Sequence, residues 1–217
     1  MTTPMEKYHL TRLERVKKTL TDHFFHATIH QTLGQAEDYL IETIVPELAP
    51  NSAGFGGSAT LGASKLVARL SAITGLTVID RNDPSLTPEK RNELSRQTLL
   101  TDLFVCSSNA VTVDGELVNT DKLGNRVAAL SYGPKKVALL VGRNKICNDV
   151  HQAISRIRNV ATPANAIRLG HDTPCSKTAK CHDCQAPNRL CCTTVITHRS
   201  TPPGRVHVLL INEELGF

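Results

Sequence analysis

The sequence has no tryptophan, and its aromatic residues make up only 4% of the 217 positions. A core must therefore be built mainly from leucine, isoleucine, valine and alanine side chains. No run approaches the roughly 20 apolar residues that a membrane-spanning helix needs. The N-terminal stretch is charged and has no apolar segment, so it lacks the pattern of a signal peptide. These absences predict a cytoplasmic protein without a membrane partner.

The charge of the chain also limits its partners. The formal net charge is +5, and no dense run of lysine and arginine with interleaved aromatic residues is present. Nucleic-acid binding therefore has little support, whereas mild basicity suits a small anionic metabolite. The hydrophobic content of 40% and the charged content of 21% are ordinary for one large globular domain.

Residues 1–50 predict a helical segment that packs on the rest of the chain. Apolar residues recur every three to four positions over residues 5–27, and charged residues occupy the other face. A second helix is expected over Gln35–Val45, with Pro46 and Pro50 ending it. The apolar stripe of the first helix predicts docking on the core, and a partner helix in a homo-oligomer interface is the alternative.

Strand-like and helical patterns alternate over the following residues. Strands are predicted at residues 76–79, 103–105, 136–141, 193–197 and 206–211. Pro84 and Pro88 bracket a loop before a predicted helix, and Pro202–Gly204 is expected to be the turn between the last two strands. This alternation predicts an α/β domain over residues 51–217, with a mainly parallel sheet flanked by helices.

The first candidate site is a glycine-rich turn between a short strand and a helix. Gly56 and Gly57 would let the backbone approach a ligand, and Ser58 or Thr60 would cap the helix. The pattern matches neither the Walker sequence nor G-x-G-x-x-G, and an ordinary tight turn is the alternative.

The second candidate site follows the strand that ends near Cys106. Asp114-Gly115 predicts a hairpin whose two central residues both have positive φ. Short polar residues surround it, and they predict a wall that contacts a small polar or anionic ligand, although such residues also form ordinary turns. They are Asn109, Asp114, Asn119, Asp121, Gly124 and Asn125, followed by Arg126.

A third turn, Gly142–Lys145, also follows a predicted strand and includes Asn144. Because ligands of parallel α/β sheets bind at the carboxyl ends of the strands, we expect the three turns to converge on one edge.

The C-terminal third contains a cysteine-rich loop, residues 171–192. Four thiolates from Cys175, Cys181, Cys184 and Cys191 would hold a soft metal centre. Irregular spacing favours a [4Fe–4S] cluster, structural zinc is the alternative, and free thiols are the third interpretation. Cys192 is expected to be spare. Elsewhere, Cys106 is expected to pack in the core, although its place beside the site also allows a catalytic thiol.

The combination of these segments resembles the LUD-domain family, formerly a domain of unknown function. The resemblance rests on Gly56–Leu61, Ser108–Asp121, Gly124–Val127, Gly142–Ile146, Ala153–Ile157 and Pro163–Ala166. It implies a fold like the sugar-phosphate isomerase and CoA-transferase superfamily, and a link to oxidation of L-lactate with redox partner subunits. The cysteine-rich loop is similar to that of one LUD subgroup, in which the cysteines look like cluster ligands. The chain departs from the larger lactate-utilisation subunit in lacking tandem ferredoxin motifs, and Glu116 is a poor match for the CoA-transferase glutamate.

Three functional hypotheses follow. The leading one is an iron–sulfur subunit or accessory factor of lactate-type organic-acid redox metabolism that binds a small anionic metabolite. Backbone donors from Gly56–Ser58 would hold the anion, with Arg126 or Lys145 offsetting its charge. The second is a metal-independent isomerase, transferase or ligase acting on a phosphorylated metabolite, with Asp114 or Asp121 as general base. The third is a non-catalytic scaffold with structural zinc.

Overall fold

The computed structural model describes residues 3–81, 83 and 85–217, so Pro84 and its predicted loop position lie outside the described residues. The helices are α1 (Pro4–Asp22), α2 (Leu33–Tyr39), α3 (Val45–Leu48), α4 (Ala59–Gly62), α5 (Leu66–Ser71), α6 (Pro88–Gln97), α7 (Asn125–Ser131), α8 (Val150–Arg156), α9 (Thr162–Arg168) and α10 (Pro174–Thr178). The strands are β1 (His26–His30), β2 (Ser52–Phe55), β3 (Thr77–Ile79), β4 (Leu103–Cys106), β5 (Ala110–Thr112), β6 (Leu117–Asp121), β7 (Lys136–Gly142), β8 (Ile146–Cys147), β9 (Thr193–Thr197) and β10 (Val206–Ile211).

The main sheet has six parallel strands in the order β1-β10-β7-β4-β2-β3. Its central strands are apolar on both faces because helices cover both sides. Along β7, Leu139 packs in the cluster that contains α1, and Leu140 packs in the opposite cluster with α2 and α5. The α/β prediction with a mainly parallel sheet flanked by helices is confirmed.

A second, four-stranded sheet in the order β8-β5-β6-β9 was not predicted. Its pairs β5–β6 and β6–β9 are antiparallel, and β5–β8 is parallel. Ala153 and Ile157 of the α8 region pack against it. No helix in the described part of the chain is both long enough and apolar enough to cross a membrane.

The helix predicted over residues 5–27 is wrong at its C-terminal end. It ends at Asp22, and the chain reverses at Phe24, which has a φ of 64° and an exposed side chain. The following residues form β1, which pairs with β10 and thus belongs to the main sheet. Residues 1–50 therefore contribute a strand as well as helices, because sheet pairing over a long sequence distance overrides the local helical pattern.

Two prolines lie inside continuous helical runs. Pro46, expected to end the second helix, lies in α3, and Pro163 lies in the first turn of α9. A π-helical turn precedes each of them, at Leu40–Ile44 and at Ile157–Ala161. Proline lacks an N–H and clashes with the carbonyl four residues earlier, so a locally wider turn lets the helix continue.

The turn of the predicted hairpin differs from expectation, whereas the last two strands do not. Only Gly115 of the Asp114-Gly115 pair has a positive φ, 86°, and its N–H bonds Thr112 O at 3.1 Å. The turn is therefore not the predicted type with both central residues at positive φ. The last two strands, β9 and β10, lie at the predicted residues with the Pro202–Gly204 turn between them, and they belong to different sheets.

Candidate functional site

A cavity of about 740 Å³ lies where several strands of the main sheet end. Its walls come from the residues after β2, β3, β4 and β7, from the start of α7, and from α9. The glycine-rich turn, the polar stretch after β4 and the turn after β7 all contribute to it, so their predicted convergence is confirmed. A cavity at this edge is the usual ligand position in such sheets.

Cationic side chains outnumber acidic ones around the cavity. The cationic residues are Arg81, Arg91, Lys122, Arg126, Lys145 and Arg168, and the acidic ones are Asp80 and Asp121. Sequence reasoning found two of these cations, Arg126 and Lys145, but missed the four that come from the loops after β3 and β6, from α6 and from α9. No local motif marks them, since only the folded topology brings them to one edge.

Lys145 lines the cavity, although only 3% of its area is exposed. Its Nζ donates hydrogen bonds to Thr60 Oγ1 at 2.7 Å and to Ser107 Oγ at 2.8 Å. Burial, followed by repulsion from Arg156 and Arg126, lowers the pKa of Lys145 to about 7. Near neutral pH a large share of this amine is therefore uncharged.

Arg126 and Asp121 form a buried ion pair instead of facing a ligand separately. Arg126 Nη2 lies 2.6 Å from Asp121 Oδ1, and Arg126 also donates to Ser107 O and to Asn109 Oδ1. Asp121 Oδ2 accepts the Val127 N–H in the first turn of α7. Asp121 is thus fully engaged in holding the start of α7, which makes it a poor general base, and Arg126 has little charge left for a ligand.

The glycine-rich turn supplies fewer donors than expected. The Gly56 N–H bonds Val105 O at 3.0 Å, so it is not available to a ligand. Ser58 caps α4 by accepting the Leu61 N–H, and Gly57 lies beneath Arg81. Gly56, Gly57 and Ser58 line the cavity, and Gly56 contributes its shape and not its N–H, so their role in ligand binding stays a prediction.

Several predicted site residues do not line the cavity. Thr60 accepts from Lys145, Asn119 Oδ1 accepts the Asn109 N–H, and Asn144 binds the backbone at Leu215 and Gly216. Gly124 starts α7 with a φ of 78°. These residues support the walls, while Asn109 and Asn125 do line the cavity.

Asp114, the other predicted general base, lies at the hairpin turn and pairs with Arg15 of α1 at 3.4 Å on the exposed surface. It does not line the cavity. The structure therefore brings neither predicted general base to the cavity as a free carboxylate.

Cys106 is fully buried, and burial raises the pKa of its thiol to about 12. A thiol in this state stays protonated and is a weak nucleophile, so the packing interpretation is favoured over a catalytic thiol. Its Cβ lies 2.8 Å from the place where a Gly56 side chain would start.

The cysteine-rich loop covers one side of the cavity, which His171 and Leu190 line. Arg189 organises it by donating to Cys184 O at 2.7 Å and to Cys191 O at 2.8 Å, and the Cys192 N–H bonds Asp121 O. His171 Nδ1 lies 3.0 Å from Asn188 O; a carbonyl only accepts, so this nitrogen carries the proton.

The thiols themselves are spread along the loop. Cys175 is buried beside the Thr173 hydroxyl, whereas Cys181, Cys184 and Cys191 are partly exposed and Cys192 is exposed. Among the described residues, no three side chains of His, Cys, Asp or Glu form a group that could hold a metal ion. The structure does not bring together the four predicted ligands, Cys175, Cys181, Cys184 and Cys191. The metal centre therefore stays a prediction.

The chain is similar to a known protein family and to solved structures. The LUD domain profile matches residues 13–211. A crystal structure of a DUF162 family protein from Deinococcus radiodurans is similar, with a TM-score of 0.51 and 13% sequence identity, over 94% of this chain and 98% of that chain. At this identity the likeness supports the fold alone. An eIF2B beta structure from Chaetomium thermophilum matches 66% of this chain and 46% of that chain, at 16% sequence identity. Its TM-score of 0.32 is too low to support a conclusion about the fold. No match was found among curated proteins.

Proposed function

The chain belongs to the LUD-domain family, and we propose that it binds a small metabolite anion, a carboxylate or a phosphate, in the cavity at the strand ends. The observation that carries this proposal is the excess of arginine and lysine side chains around that cavity. The proposed metabolic setting is lactate-type organic-acid metabolism, with the chain acting as a subunit or accessory factor alongside redox partner subunits.

The dimensions and position of the cavity support a small ligand. Its volume of about 740 Å³ falls within the range of small-molecule sites. Guanidinium groups match the planar fork of a carboxylate or two oxygens of a phosphate, so arginines at a strand-end cavity suit either anion. Because Arg126 is already paired with Asp121, Arg81 is a better candidate for contact with the ligand.

Arg81 also has a firm anchor within the described residues. Its Nη1 donates to Ser95 Oγ of α6 at 2.8 Å, and its Nη2 lies over Gly57. Burial lowers the pKa of Arg81, with the charge of Asp121 opposing that effect, yet a guanidinium remains charged at neutral pH. Because Gly57 has no side chain, the space beside the fixed Arg81 guanidinium can hold an anion.

The test is a calorimetric binding series with L-lactate, pyruvate and ribose 5-phosphate, using wild type, Arg81→Gln and Arg96→Gln. Arg96 is an exposed surface arginine of α6, paired with Glu93, and serves as the matched control. We expect saturable binding of at least one anion and a loss of about 10-fold or more in affinity for Arg81→Gln only, since a charged hydrogen bond contributes about 1.5 kcal/mol or more. The three ligands separate carboxylate from phosphate recognition. Absence of saturable binding by all three would refute the proposal.

The metal proposal for the cysteine-rich loop is independent of this binding function. We propose a [4Fe–4S] cluster there, with structural zinc as the alternative, on the basis of ligand chemistry alone. Anion binding in the cavity does not require this metal centre. Anaerobically purified protein is analysed for iron, zinc and sulfide and by absorption spectroscopy. A broad band near about 400 nm with iron and sulfide, as thiolate-bound clusters show, would support the cluster, whereas zinc without colour would support a structural site. Metal-free protein that still binds the anion would leave the thiols as free cysteines and refute both.

A further inference from the structure

We propose that Lys145 is a nucleophile that binds an anionic aldehyde or ketone covalently, as an iminium, in the cation-lined cavity. This inference rests on the proposed anion-binding function and narrows its ligand to a carbonyl compound, such as a 2-oxo acid or an open-chain sugar phosphate. It is carried by the hydrogen-bond arrangement around the amine and by the charges of the groups that surround it.

The two hydroxyl partners of Lys145 fix the direction of its hydrogen bonds. Thr60 Oγ1 donates to Leu215 O at 3.1 Å, and Ser107 Oγ donates to Leu140 O at 2.6 Å. Because each hydroxyl has a single proton and a carbonyl only accepts, both hydroxyls must accept from Nζ.

This arrangement suits a neutral amine. The two N–H groups of an uncharged lysine are satisfied by the two hydroxyls, at 2.7 and 2.8 Å. The remaining position on nitrogen then holds the lone pair, and Lys145 lines the cavity. A charged ammonium in the same place would have a third N–H without a partner. Because only 3% of the residue is exposed, water could not readily supply that partner.

The electrostatic surroundings act in the same direction. Arg156 and Arg126 lie near enough to disfavour a further positive charge, and each is held by the protein, Arg156 by Asn144 O and Asn109 O. Desolvation of a lysine beside other cations is a general way to produce a nucleophilic amine at neutral pH. Arg81 and the other cations that line the cavity would attract the anionic part of a ligand, which places a carbonyl compound and the amine in one cavity.

The covalent step balances without an oxidant. The lone pair of Nζ attacks the carbonyl carbon, so a C–N bond forms as the C=O π bond opens. The carbinolamine then loses the former carbonyl oxygen as water, leaving a C=N⁺ bond. Of the two amine protons, one stays on nitrogen and one leaves with the water, whose second proton comes from solvent.

Reductive trapping tests the proposal on the intact protein. The protein is incubated with pyruvate or ribose 5-phosphate and sodium cyanoborohydride, which reduces the iminium, and the adduct is located by peptide mass spectrometry. L-Lactate, which has no carbonyl beside its carboxylate that an amine can attack, is the matched ligand control. We expect one adduct per chain on Lys145 with at least one carbonyl compound and none with L-lactate. Adduct formation should rise with pH around about 7, because the amine is the reactive form.

Two variants complete the test. Lys145→Met should abolish the adduct, and Lys18→Arg, at an exposed position of α1, should retain it. If Lys145→Met fails to fold, the mapped position and the pH profile of the wild-type adduct decide the question.

The outcomes separate this inference from the proposed function. Saturable binding of a carbonyl compound without an adduct on Lys145, or labelling spread evenly over exposed lysines, would overturn the inference and leave anion binding intact. Absence of binding by every anion would overturn both.

Discussion

At the residue scale, Gly56 and Gly62 both line the cavity but have different neighbours. A Cβ on Gly56 would lie 2.8 Å from Cys106 Cβ, whereas a Cβ on Gly62 would meet nothing within 4 Å. The chain has no positive φ at either position, so the difference between them is one of space and not of backbone strain.

We therefore predict opposite effects for the two alanine variants. Gly56→Ala should lower the free energy of unfolding by about 2 kcal/mol, because overpacking a tight contact costs 1–3 kcal/mol. Gly62→Ala lies in α4 and should raise it by up to about 1 kcal/mol, because alanine favours helix. Urea denaturation of both variants measures this. A Cys106→Ala background should not relieve Gly56→Ala, since alanine keeps the Cβ, and equal effects at the two glycines would contradict the packing argument.

Some residues of the cavity could be predicted from the sequence with their correct role, whereas others could be predicted only as charged or polar residues. Ser58 was predicted as a cap from its place before a helix, and the structure has it there. Lys145 was predicted only as a charge for the ligand, because its partners Thr60 and Ser107 lie 85 and 38 positions away. Burial, and thus the lowered pKa, depends on those distant contacts and leaves no local pattern.

At the element scale, strands with a clear apolar run were predictable, and strands defined only by pairing with distant residues were not. β4 and β7 are nearly continuous apolar runs, which marks them in the sequence. In contrast, β8 has two residues, and it joins the second sheet through a pairing with β5 that no periodicity reveals. β1 was hidden in the same way, because its pairing with β10 outweighs the helical pattern of the residues before it.

The π-helical turns explain why two prolines do not mark breaks between helices. Proline is a reliable sign of a helix boundary only where the chain has no wider turn to absorb it. At Pro46 and Pro163 the preceding π turns keep α2–α3 and α8–α9 continuous. The α8–α9 run ends beside the cavity, where Ala161, Thr162, Asn165 and Arg168 line the wall.

At the scale of the whole molecule, the main sheet carries a group of neighbouring histidines on β1 and β10, of which His207 is buried. The His207 ring stacks on that of His26 at 3.9 Å, and Tyr39 contacts both His30 and His207. Burial, followed by repulsion from His26, Lys136 and His30, lowers the pKa of His207 to about 3. His207 Nε2 has no hydrogen-bond partner among the described residues. Burial also lowers the pKa values of His26 and His30.

This arrangement predicts acid sensitivity of the fold. Between pH values near the unfolded histidine pKa of about 6.5 and the folded value, the unfolded chain binds more protons than the native protein. The free energy of unfolding should therefore fall as the pH falls below about 6.5, by at most about 1.4 kcal/mol per pH unit for His207. That loss should stop growing near pH 3, the folded pKa of His207.

Urea denaturation from about pH 7 to pH 4 measures this dependence. His207→Leu should reduce its slope, and His151→Gln, at an exposed position of α8, should retain it. An unchanged slope for His207→Leu would show that other groups dominate acid unfolding.

The pairing of β1 with β10 has a consequence for biosynthesis. During translation, the edge of β7 that receives β10 stays open until residues 206–211 have left the ribosome, and β1 cannot pair with the sheet earlier. Until then the nascent chain carries β1 without its sheet partner and, once residues 136–142 are made, an uncovered edge of β7, which are features that recruit chaperones and promote aggregation. Completion of the main sheet is therefore a late, cooperative event that follows synthesis of β10.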